Sequence, residues 1–267
     1  MYTTSTSADL LASLRETAPL VQCITNYVAM NIAANVLLSA GASPAMVHAT
    51  AEAGEFAGIA GAVTINIGTL SPDWIAGMKA AAGAANAAKK PWVLDPVAHF
   101  ATALRRQTVA ELMALKPTIL RGNASEIIAL SGGESRAKGV DSRDPVEQAE
   151  GAATALARAT GCVVAVTGVT DFVTDGERAA RISGGSPLMP QVTALGCSLT
   201  CLTGAFAALA PADPLAASVA ALTLFAVAGE IAAREAEGPG SFAWRFLDAL
   251  AAVTPAQLGE NGRVAWL

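Results

Sequence analysis

The sequence has 267 residues, of which 53% are apolar and 15% charged, and its formal net charge is −5. This composition is typical of a folded globular protein, and the length allows one large domain or two small ones. The acidic balance and the lack of a Lys/Arg-rich run argue against nucleic-acid binding, because neutralising phosphates requires clustered cations.

Strand-like apolar runs alternate with helical patterns through the first half of the chain, which is typical of βα units and a mostly parallel sheet. The sequence predicts strands over residues 20–25, 62–67, 92–94 and 118–120, with a short extended segment over 43–47. It predicts helices over residues 7–17, 28–40, 51–59 and 102–115, and further helices that begin at Ser71-Pro72 and at Asn123.

The second half begins with an expected exposed loop over residues 131–144, followed by a helix that starts at Asp144-Pro145 and a strand over 163–166. Residues 171–175 and 178–183, joined at Gly176, predict an antiparallel edge hairpin. Helices are predicted from Gly196 to residue 209, over 214–234 and over 241–251.

We expect an α/β fold with helices on both faces of the sheet, formed by residues 1–267 as one domain.

Three features indicate a cytoplasmic protein without a membrane anchor. Four cysteines lack the dense, even spacing of a secreted disulfide framework and indicate reduced thiols. The N-terminal segment carries Asp9, Arg15 and Glu16 where a signal peptide needs an apolar stretch. The uncharged run 214–229 falls short of the roughly 20 residues of a membrane helix, so we expect it to be buried in the core.

Common catalytic motifs are missing from the sequence. It has no G-x-x-x-x-G-K-[ST], G-x-G-x-x-G, H-E-x-x-H, C-x-x-C or G-x-S-x-G pattern. The two histidines, His48 and His99, are interpreted as loop residues rather than as catalytic bases. Any catalytic activity must therefore depend on residues outside these common motifs.

Residues 192–197 precede an apolar helix, so their backbone amides lie at a helix N-terminus, where an anion such as phosphate is favoured. Cys197 is expected to titrate at lower pH there, which suits a proton acceptor, although a bound phosphate would oppose this. The alternative is that Gly196 only eases a tight turn and that Cys197 is a small buried hydrophobe.

Two acids are expected at the carboxyl ends of neighbouring strands, where ligands of open α/β sheets bind. Asp95 ends one strand, and Glu126 lies in the first turn of the helix that Asn123 opens. Their hard oxygen atoms suit Mg²⁺. The alternatives are a solvated Asp95 and a capping box between Asn123 and Glu126.

Several segments, in chain order, resemble the hydroxyethylthiazole kinases of thiamine salvage. They are residues 19–31 (PLVQCITNYVAMN), 41–46 (GASPAM), 66–70 (NIGTL), 116–127 (KPTILRGNASEI), 139–142 (GVDS), 166–168 (VTG), 171–176 (DFVTDG) and the turn at Gly196-Cys197. The segments 19–31 and 121–123 are the most specific to the family. Together these matches span about residues 20–208, in chain order.

This resemblance implies a ribokinase-like fold and ATP-dependent phosphorylation of the hydroxyl of 4-methyl-5-(2-hydroxyethyl)thiazole. It further implies a homotrimer with sites between subunits. The implied roles of individual residues are thiazole contacts at Asn26, Met46 and Ala194, ATP contacts at Arg121, Thr167 and Gly196, Mg²⁺ and phosphate acids at Asp95 and Glu126, and a proton acceptor at Cys197.

Two departures from the family pattern lie in the implied site. The family usually reads T-G-T-G-C where this chain has Ala194 and Leu195 before Gly196, and it usually has small residues and glycine where this chain has His99 and Phe100. Two alternatives of the same fold are a hydroxymethylpyrimidine kinase and a nucleotide-dependent dehydratase, and the match over residues 20–46 disfavours both. A third alternative is a thiazole- or nucleotide-binding protein that has lost catalysis through Ala194, Leu195 and Phe100.

Overall fold

The computed structural model describes residues 6–133 and 145–267, and within these ranges the chain forms nine strands and eleven helices. The strands are β1 Leu20–Ile24, β2 Ser43–Ala45, β3 Ala62–Asn66, β4 Trp92–Asp95, β5 Ile119–Asn123, β6 Val163–Thr167, β7 Thr170–Thr174, β8 Ala179–Ser183 and β9 Arg263–Trp266. The helices are α1 Ser7–Thr17, α2 Met30–Ala40, α3 Thr50–Ile59, α4 Pro72–Ala87, α5 Ala103–Ala114, α6 Ala124–Leu130, α7 Val146–Thr160, α8 Leu195–Leu209, α9 Pro214–Glu235, α10 Pro239–Ala252 and α11 Pro255–Asn261.

The strands form one sheet in the order β2-β1-β3-β4-β5-β6-β7-β8-β9. The pairs from β2 to β6 are parallel, whereas β7, β8 and β9 pair antiparallel to their neighbours. The carboxyl ends of β1 to β6 therefore share one side of the sheet, which we call the carboxyl edge. Because β8 runs in the same direction as β6, the end of β8 lies there too.

Helices cover both faces of the sheet, and each face has its own apolar core. One core joins α1, α2, α8, α9, α10 and α11 to the sheet, and the other joins α3, α4, α5, α6 and α7 to it. Successive strand residues enter opposite cores: Cys23 enters the first, and Ile24 enters the second. This alternation follows from the two-residue period of a strand and explains why these strands are apolar on both faces.

Helix α9 is long and apolar enough to cross a membrane, with a mean hydropathy of 1.9 over its most apolar window. However, 89% of that window is buried inside the protein, against α8, α10 and the sheet. The helix therefore packs as a core element, as expected for the run 214–229.

The N-terminal helix α1 packs against α9 and α11, near the other end of the chain. Arg15 of α1 donates from Nη2 to the carbonyl oxygens of Leu250 and Ala251, at 3.0 and 3.2 Å. These hydrogen bonds join α1 to the end of α10.

The predicted α/β fold with a mostly parallel sheet, an antiparallel edge hairpin and helices on both faces is confirmed. Of the predicted loop 131–144, residues 134–144 lie outside the described part of the chain, as does the family-like segment 139–142. The single domain over residues 1–267 stays a prediction.

The sequence missed two elements of the described chain, and two of the differences between predicted and observed boundaries have a clear physical reason. It did not predict α11 or β9, because each is short, and β9 is stabilised by pairing with β8 rather than by its own pattern. β5 extends to Asn123 rather than ending at residue 120, because residues 121–123 pair with β6. α2 begins at Met30 rather than at residue 28, because Asn26 Oδ1 accepts hydrogen bonds from the amides of residues 28 and 29.

Candidate active site

Four neighbouring strands place polar side chains at the carboxyl edge. β3 ends at Asn66, β4 at Asp95 and β6 at Thr167, while Arg121 lies two residues before the end of β5. The first turn of α8 meets them, because Arg121 Nη1 donates to the carbonyl oxygen of Gly196 at 3.1 Å. Residues distant in sequence thus form one polar cluster where ligands of open α/β sheets bind.

The carboxyl group of Asp95 is 2% exposed and is held mainly through one oxygen. Its Oδ2 accepts hydrogen bonds from Asn66 Nδ2 at 2.8 Å and from Thr200 Oγ1 at 2.8 Å, and it lies 3.5 Å from Arg121 Nη1. Burial raises the pKa of Asp95, and Arg121 and the hydrogen bonds oppose that rise. Because protein donors crowd Oδ2, Oδ1 is the oxygen more available to a ligand.

Glu126 is 3% exposed and lies in the first turn of α6. Its Oε1 accepts a hydrogen bond from the Ala98 amide at 2.9 Å, and its Oε2 accepts one from the Asn123 amide at 2.8 Å. Asn123 Oδ1 in turn accepts from the Glu126 amide, so the alternative of a capping box is confirmed as a structural feature. Burial, followed by the nearby charge of Asp95, raises the pKa of Glu126 to about 7.

The donor set of Asp95 and Glu126 fits a magnesium ion that arrives with phosphates. Each Glu126 oxygen accepts one amide hydrogen bond and keeps a lone pair for a further partner. The described residues contain no cluster of three or more His, Cys, Asp or Glu side chains that would hold a metal alone. Mg²⁺ commonly binds one or two protein carboxylates, with substrate phosphates and water completing its shell.

The raised pKa of Glu126 predicts a pH-dependent stability of the magnesium-free protein. A carboxyl group whose pKa rises on folding stabilises the protein fully below its ordinary pKa, and this stabilisation is lost as pH rises through the folded value of about 7. We therefore expect the free energy of unfolding to fall between about pH 5.5 and about pH 8, and to fall less in Glu126→Gln. Urea unfolding at both pH values checks this, and identical pH dependence in the two proteins would contradict it.

The three residues implied as ATP contacts lie together. Arg121 Nη2 donates to Thr167 Oγ1 at 2.6 Å, while Nη1 donates to Gly196. A Cβ atom at Gly196 would lie 3.3 Å from Arg121 Nη1, so glycine lets the guanidinium lie close to the first turn of α8. Arg121 Nε is buried and has no hydrogen-bond partner in the described part of the chain. The arrangement presents a nearly buried cation beside a helix N-terminus.

The sulfur of Cys197 lies among amide donors. Asn26 Nδ2 and Asn66 Nδ2 lie 3.3 and 3.4 Å from Sγ. The expectation that Cys197 titrates at lower pH is wrong, since burial and then the charge of Asp95 raise the pKa of its thiol to about 12. The Asn26 hydrogen bond and Arg121 oppose this rise but do not overcome it.

The first turn of α8 has backbone amides without intrahelical partners, and its N-cap has an unusual backbone conformation. The Ser198 amide is the first to bond back into the helix, donating to the Ala194 carbonyl at 2.9 Å, so the amides of residues 195–197 lack intrahelical partners. Ala194 has φ 65° and Ala98 has φ 49°, both in the left-handed region. Each costs about 1–2 kcal/mol relative to a right-handed alanine. Both strained alanines lie in the loops that carry the site.

The residues implied as thiazole contacts are spread along the carboxyl edge. Met46 follows β2 and packs, partly buried, against the core on the α8 side of the sheet. Ala194 is the N-cap of α8. Among these three residues, and within the described ranges, Asn26 alone donates hydrogen bonds into the polar cluster. The next residue, Tyr27, is 67% exposed.

The two bulky residues that depart from the family pattern pack on each other. His99 is 5% exposed, and its ring meets Phe100 edge-on at a centroid distance of 5.4 Å. Burial lowers the pKa of His99 to about 4, so the imidazole is neutral at neutral pH. It therefore brings no positive charge to the site.

Sequence reasoning gave no role to two side chains that touch the central acid. Asn66 was noted only as part of a family-like segment, although it ends a strand beside Asp95, as the register now shows. Thr200 donates to Asp95 and lies three residues after Cys197, so helical spacing puts both on one side of α8. The position of Asn66 at the end of a strand and the helical spacing between Cys197 and Thr200 are the sequence signals that indicate these two residues.

The sequence also gave no indication that Arg105 of α5 supports the site. Its Nη1 donates to the carbonyl oxygens of Ile67 and Val97 at 3.0 and 2.9 Å, and its Nη2 donates to that of Gly68 at 2.6 Å. These carbonyls belong to the loops that follow β3 and β4. Arg105 therefore ties together the two loops next to Asn66 and Asp95, and no local sequence signal points to this.

A pocket of about 390 Å³ opens beyond the polar cluster, at the end of β8. It is lined by Gly185, Ser186, Pro187, Glu230, Ala233, Arg234 and Arg263. Since the end of β8 lies on the carboxyl edge, this pocket and the Arg121 cluster lie along the same side of the sheet.

Known proteins resemble the chain in sequence and in structure. Residues 11–256 match the sequence profile of the hydroxyethylthiazole kinase family. A hydroxyethylthiazole kinase from Rhizobium johnstonii is 72% identical over 265 residues, covering 99% of each chain. One from Gemmatimonas aurantiaca is 67% identical over 259 residues, covering 97% of this chain and 93% of the relative.

The structural comparisons agree with these relatives. The structure of a hydroxyethylthiazole kinase protein from Pyrococcus horikoshii OT3 superimposes with a TM-score of 0.89 at 38% identity, covering 98% of each chain. A ribokinase-like superfamily protein from Enterococcus faecalis V583 gives a TM-score of 0.66 at 12% identity, covering 97% of this chain and 90% of the other. The second likeness concerns the fold alone.

Proposed function

This chain belongs to the hydroxyethylthiazole kinase family, and on that premise we propose that it transfers the γ-phosphoryl group of ATP to the hydroxyl of 4-methyl-5-(2-hydroxyethyl)thiazole in thiamine salvage. The assignment makes it a phosphotransferase with an alcohol as acceptor. The observation that carries the proposal is the convergence of Arg121, Asp95 and Glu126 with the free amides of α8 at one point. A cation, two acids and a helix N-terminus are the groups that phosphoryl transfer uses.

The phosphates of ATP bind between Arg121 and the first turn of α8 in this proposal. Arg121 supplies a fixed positive charge, Gly196 and its neighbours supply backbone amides, and the hydroxyl of Thr167 orients the guanidinium. Asp95 and Glu126 would hold Mg²⁺, which neutralises phosphate charge when it is bound. The pocket at the end of β8 offers room for the rest of the nucleotide.

The thiazole alcohol binds on the other side of Cys197, against Asn26, Met46 and Ala194. Its hydroxyl oxygen attacks the γ-phosphorus, the bond from that phosphorus to the β,γ-bridging oxygen breaks, and ADP leaves. The thiolate form of Cys197, a small fraction at neutral pH because burial raises the pKa of the thiol, takes the hydroxyl proton and becomes the thiol. Most of the catalysis is positioning, because the amides and Arg121 are already directed at the place where charge develops.

An ADP-release assay tests this function. We expect ADP to form from Mg-ATP only when the thiazole alcohol is present, and mass spectrometry should show the alcohol with one added phosphoryl group. Hydroxymethylpyrimidine and thiamine are the comparison acceptors, and the alcohol without ATP is the blank. Turnover with hydroxymethylpyrimidine instead would refute the substrate, and binding of the alcohol without ADP release would indicate a protein that binds but does not catalyse.

Replacing Arg121 by alanine is expected to weaken ATP binding more than thiazole binding. The substitution removes the cation beside the amides of α8, and a charge-assisted phosphate contact is worth about 1.5–3 kcal/mol, or roughly 10- to 100-fold in affinity. Calorimetric titration of each ligand measures the difference. Arg181→Ala is a matched control, since Arg181 forms an exposed ion pair with Glu150. Equal losses for ATP and thiazole would contradict the assignment.

We further propose a homotrimer in the cytoplasm, with sites between subunits. Family analogy suggests the assembly, and exposed apolar side chains near the β2 end of the sheet support it, namely Tyr27, Val28, Leu38 and Ile59. Sedimentation equilibrium gives the molar mass, and a monomer at assay concentration would refute the trimer.

A further inference from the structure

Asn66 holds two reactive groups of the site at once. Its Nδ2 donates to Asp95 Oδ2 at 2.8 Å and points toward Cys197 Sγ at 3.4 Å. The amide is 2% exposed, so water does not compete for these contacts. One planar group therefore sets the separation between the carboxylate and the sulfur.

The orientation of this amide is fixed from its other side. Asn66 Oδ1 accepts hydrogen bonds from the Gly68 backbone amide at 2.8 Å and from Asn26 Nδ2 at 2.8 Å. A backbone N–H only donates, so the oxygen must face Gly68 and the NH₂ group must face Asp95 and Cys197. A flipped amide would place the NH₂ group of Asn66 against the N–H of Gly68, and both groups are donors. The observed orientation is therefore the one in which the side chain of Asn66 can form its hydrogen bonds.

Asn26 is fixed in the same way and completes the arrangement. Its Oδ1 accepts from the backbone amides of Val28 and Ala29, so its Nδ2 also faces Cys197. The sulfur therefore meets two N–H donors, and neither amide offers it an acceptor. Its own proton must point elsewhere, which leaves these two amides to aim the sulfur.

We propose that Asn66 is a positioning residue that acts on phosphoryl transfer through Cys197, by fixing the sulfur relative to Asp95. This inference rests on the proposed kinase function and on Cys197 receiving the substrate proton. Without Asn66, the sulfur keeps, among the described residues, only the Asn26 hydrogen bond, and Asp95 Oδ2 loses one donor. Misplacing catalytic groups by about 1 Å can cost on the order of 10²-fold in rate.

Asn66→Leu is the primary test because leucine has nearly the same shape and makes no hydrogen bonds. We expect kcat to fall on the order of 10- to 100-fold, the range found when groups that orient catalytic ligands are removed, with KM for ATP and for the thiazole alcohol changed little. Asn66→Ser, which fits without overpacking, serves if the leucine variant does not fold. Asn86→Leu is the matched control, since it removes two hydrogen bonds far from the carboxyl edge.

A double-mutant cycle separates positioning from a general structural role. In a Cys197→Ala background, removing Asn66 should cost several-fold less in kcat than it does in the wild type, because the group it aims is gone. An equal fold-loss in both backgrounds, or an unchanged kcat in the single variant, would overturn the proposal. Wild-type protein assayed in parallel distinguishes a failure of the kinase function from a failure of the Asn66 proposal. A wild type without turnover would refute the kinase function, whereas the Asn66 proposal is judged only from variants of an active wild type.

Discussion

Glu126→Gln is expected to lower kcat by on the order of 10²-fold or more, because it removes the negative charge that would hold a cation against the transferred phosphoryl group. The variant keeps the shape of the side chain, and glutamine is accepted in a capping box, so α6 should still form. Initial rates of ADP release at saturating ATP and alcohol measure the effect. The magnesium concentration for half-maximal rate should rise in the same variant.

The capping role of Glu126 predicts a different result. A side chain that only satisfied the amides of Asn123 and Ala98 would affect the melting temperature and leave turnover near that of the wild type. Glu150→Gln is the matched control, since Glu150 lies on α7 and pairs with the exposed Arg181. Wild-type turnover in Glu126→Gln would limit this residue to its structural contacts.

Cys197→Ala is expected to lower kcat by about 10²- to 10⁴-fold, the usual contribution of a general base, while the affinity for the thiazole alcohol stays nearly intact. The amides of α8 and Arg121 do not depend on the thiol, so binding and charge stabilisation survive. Cys201→Ala is the matched control: this buried cysteine lies one turn further along α8 and contacts Thr64 rather than the site. It should change the melting temperature without lowering kcat.

Cys197→Asp is expected to keep or raise kcat, whereas Cys197→Ala is expected to lower it, so the two variants together test the role of Cys197. The raised pKa of the thiol, about 12, means that little thiolate exists at neutral pH. A carboxylate is a more available proton acceptor, and the Nδ2 groups of Asn26 and Asn66 offer it hydrogen bonds. We expect activity at or above that of the wild type. An active alanine variant beside an unstable aspartate variant would remove Cys197 from the mechanism, since the new charge would then be buried without a catalytic use.

Sequence reasoning predicted the parts of the site that depend on strand ends. Asp95 and Glu126 were placed at the carboxyl edge because apolar runs before them marked strands, and the structure brings both acids there within range of Arg121. Helix α8 was expected because its apolar residues follow a turn at Gly196. These features are local, since each can be read from a few consecutive residues.

The features of the site that the sequence did not predict depend on contacts between segments that are distant in sequence. The pKa of Cys197 was expected to fall because local reasoning sees a helix N-terminus, whereas burial and Asp95, which lies on another element, raise it. The orientation of Asn66 depends on Asn26, forty residues earlier in the chain. Arg105 acts on backbone carbonyls, which every residue has, so the identities of its partners carry no signal.

The joining of α1 to the C-terminal helices has a consequence for synthesis in the cell. The apolar face of α1 leaves the ribosome long before α9 and α11, against which it packs, because both helices follow it far along the chain. Arg15 cannot reach the carbonyls of Leu250 and Ala251 until those two residues are translated. The nascent protein therefore carries α1 without most of its helical partners while the intervening segments are made, an exposure of the kind that chaperones shield.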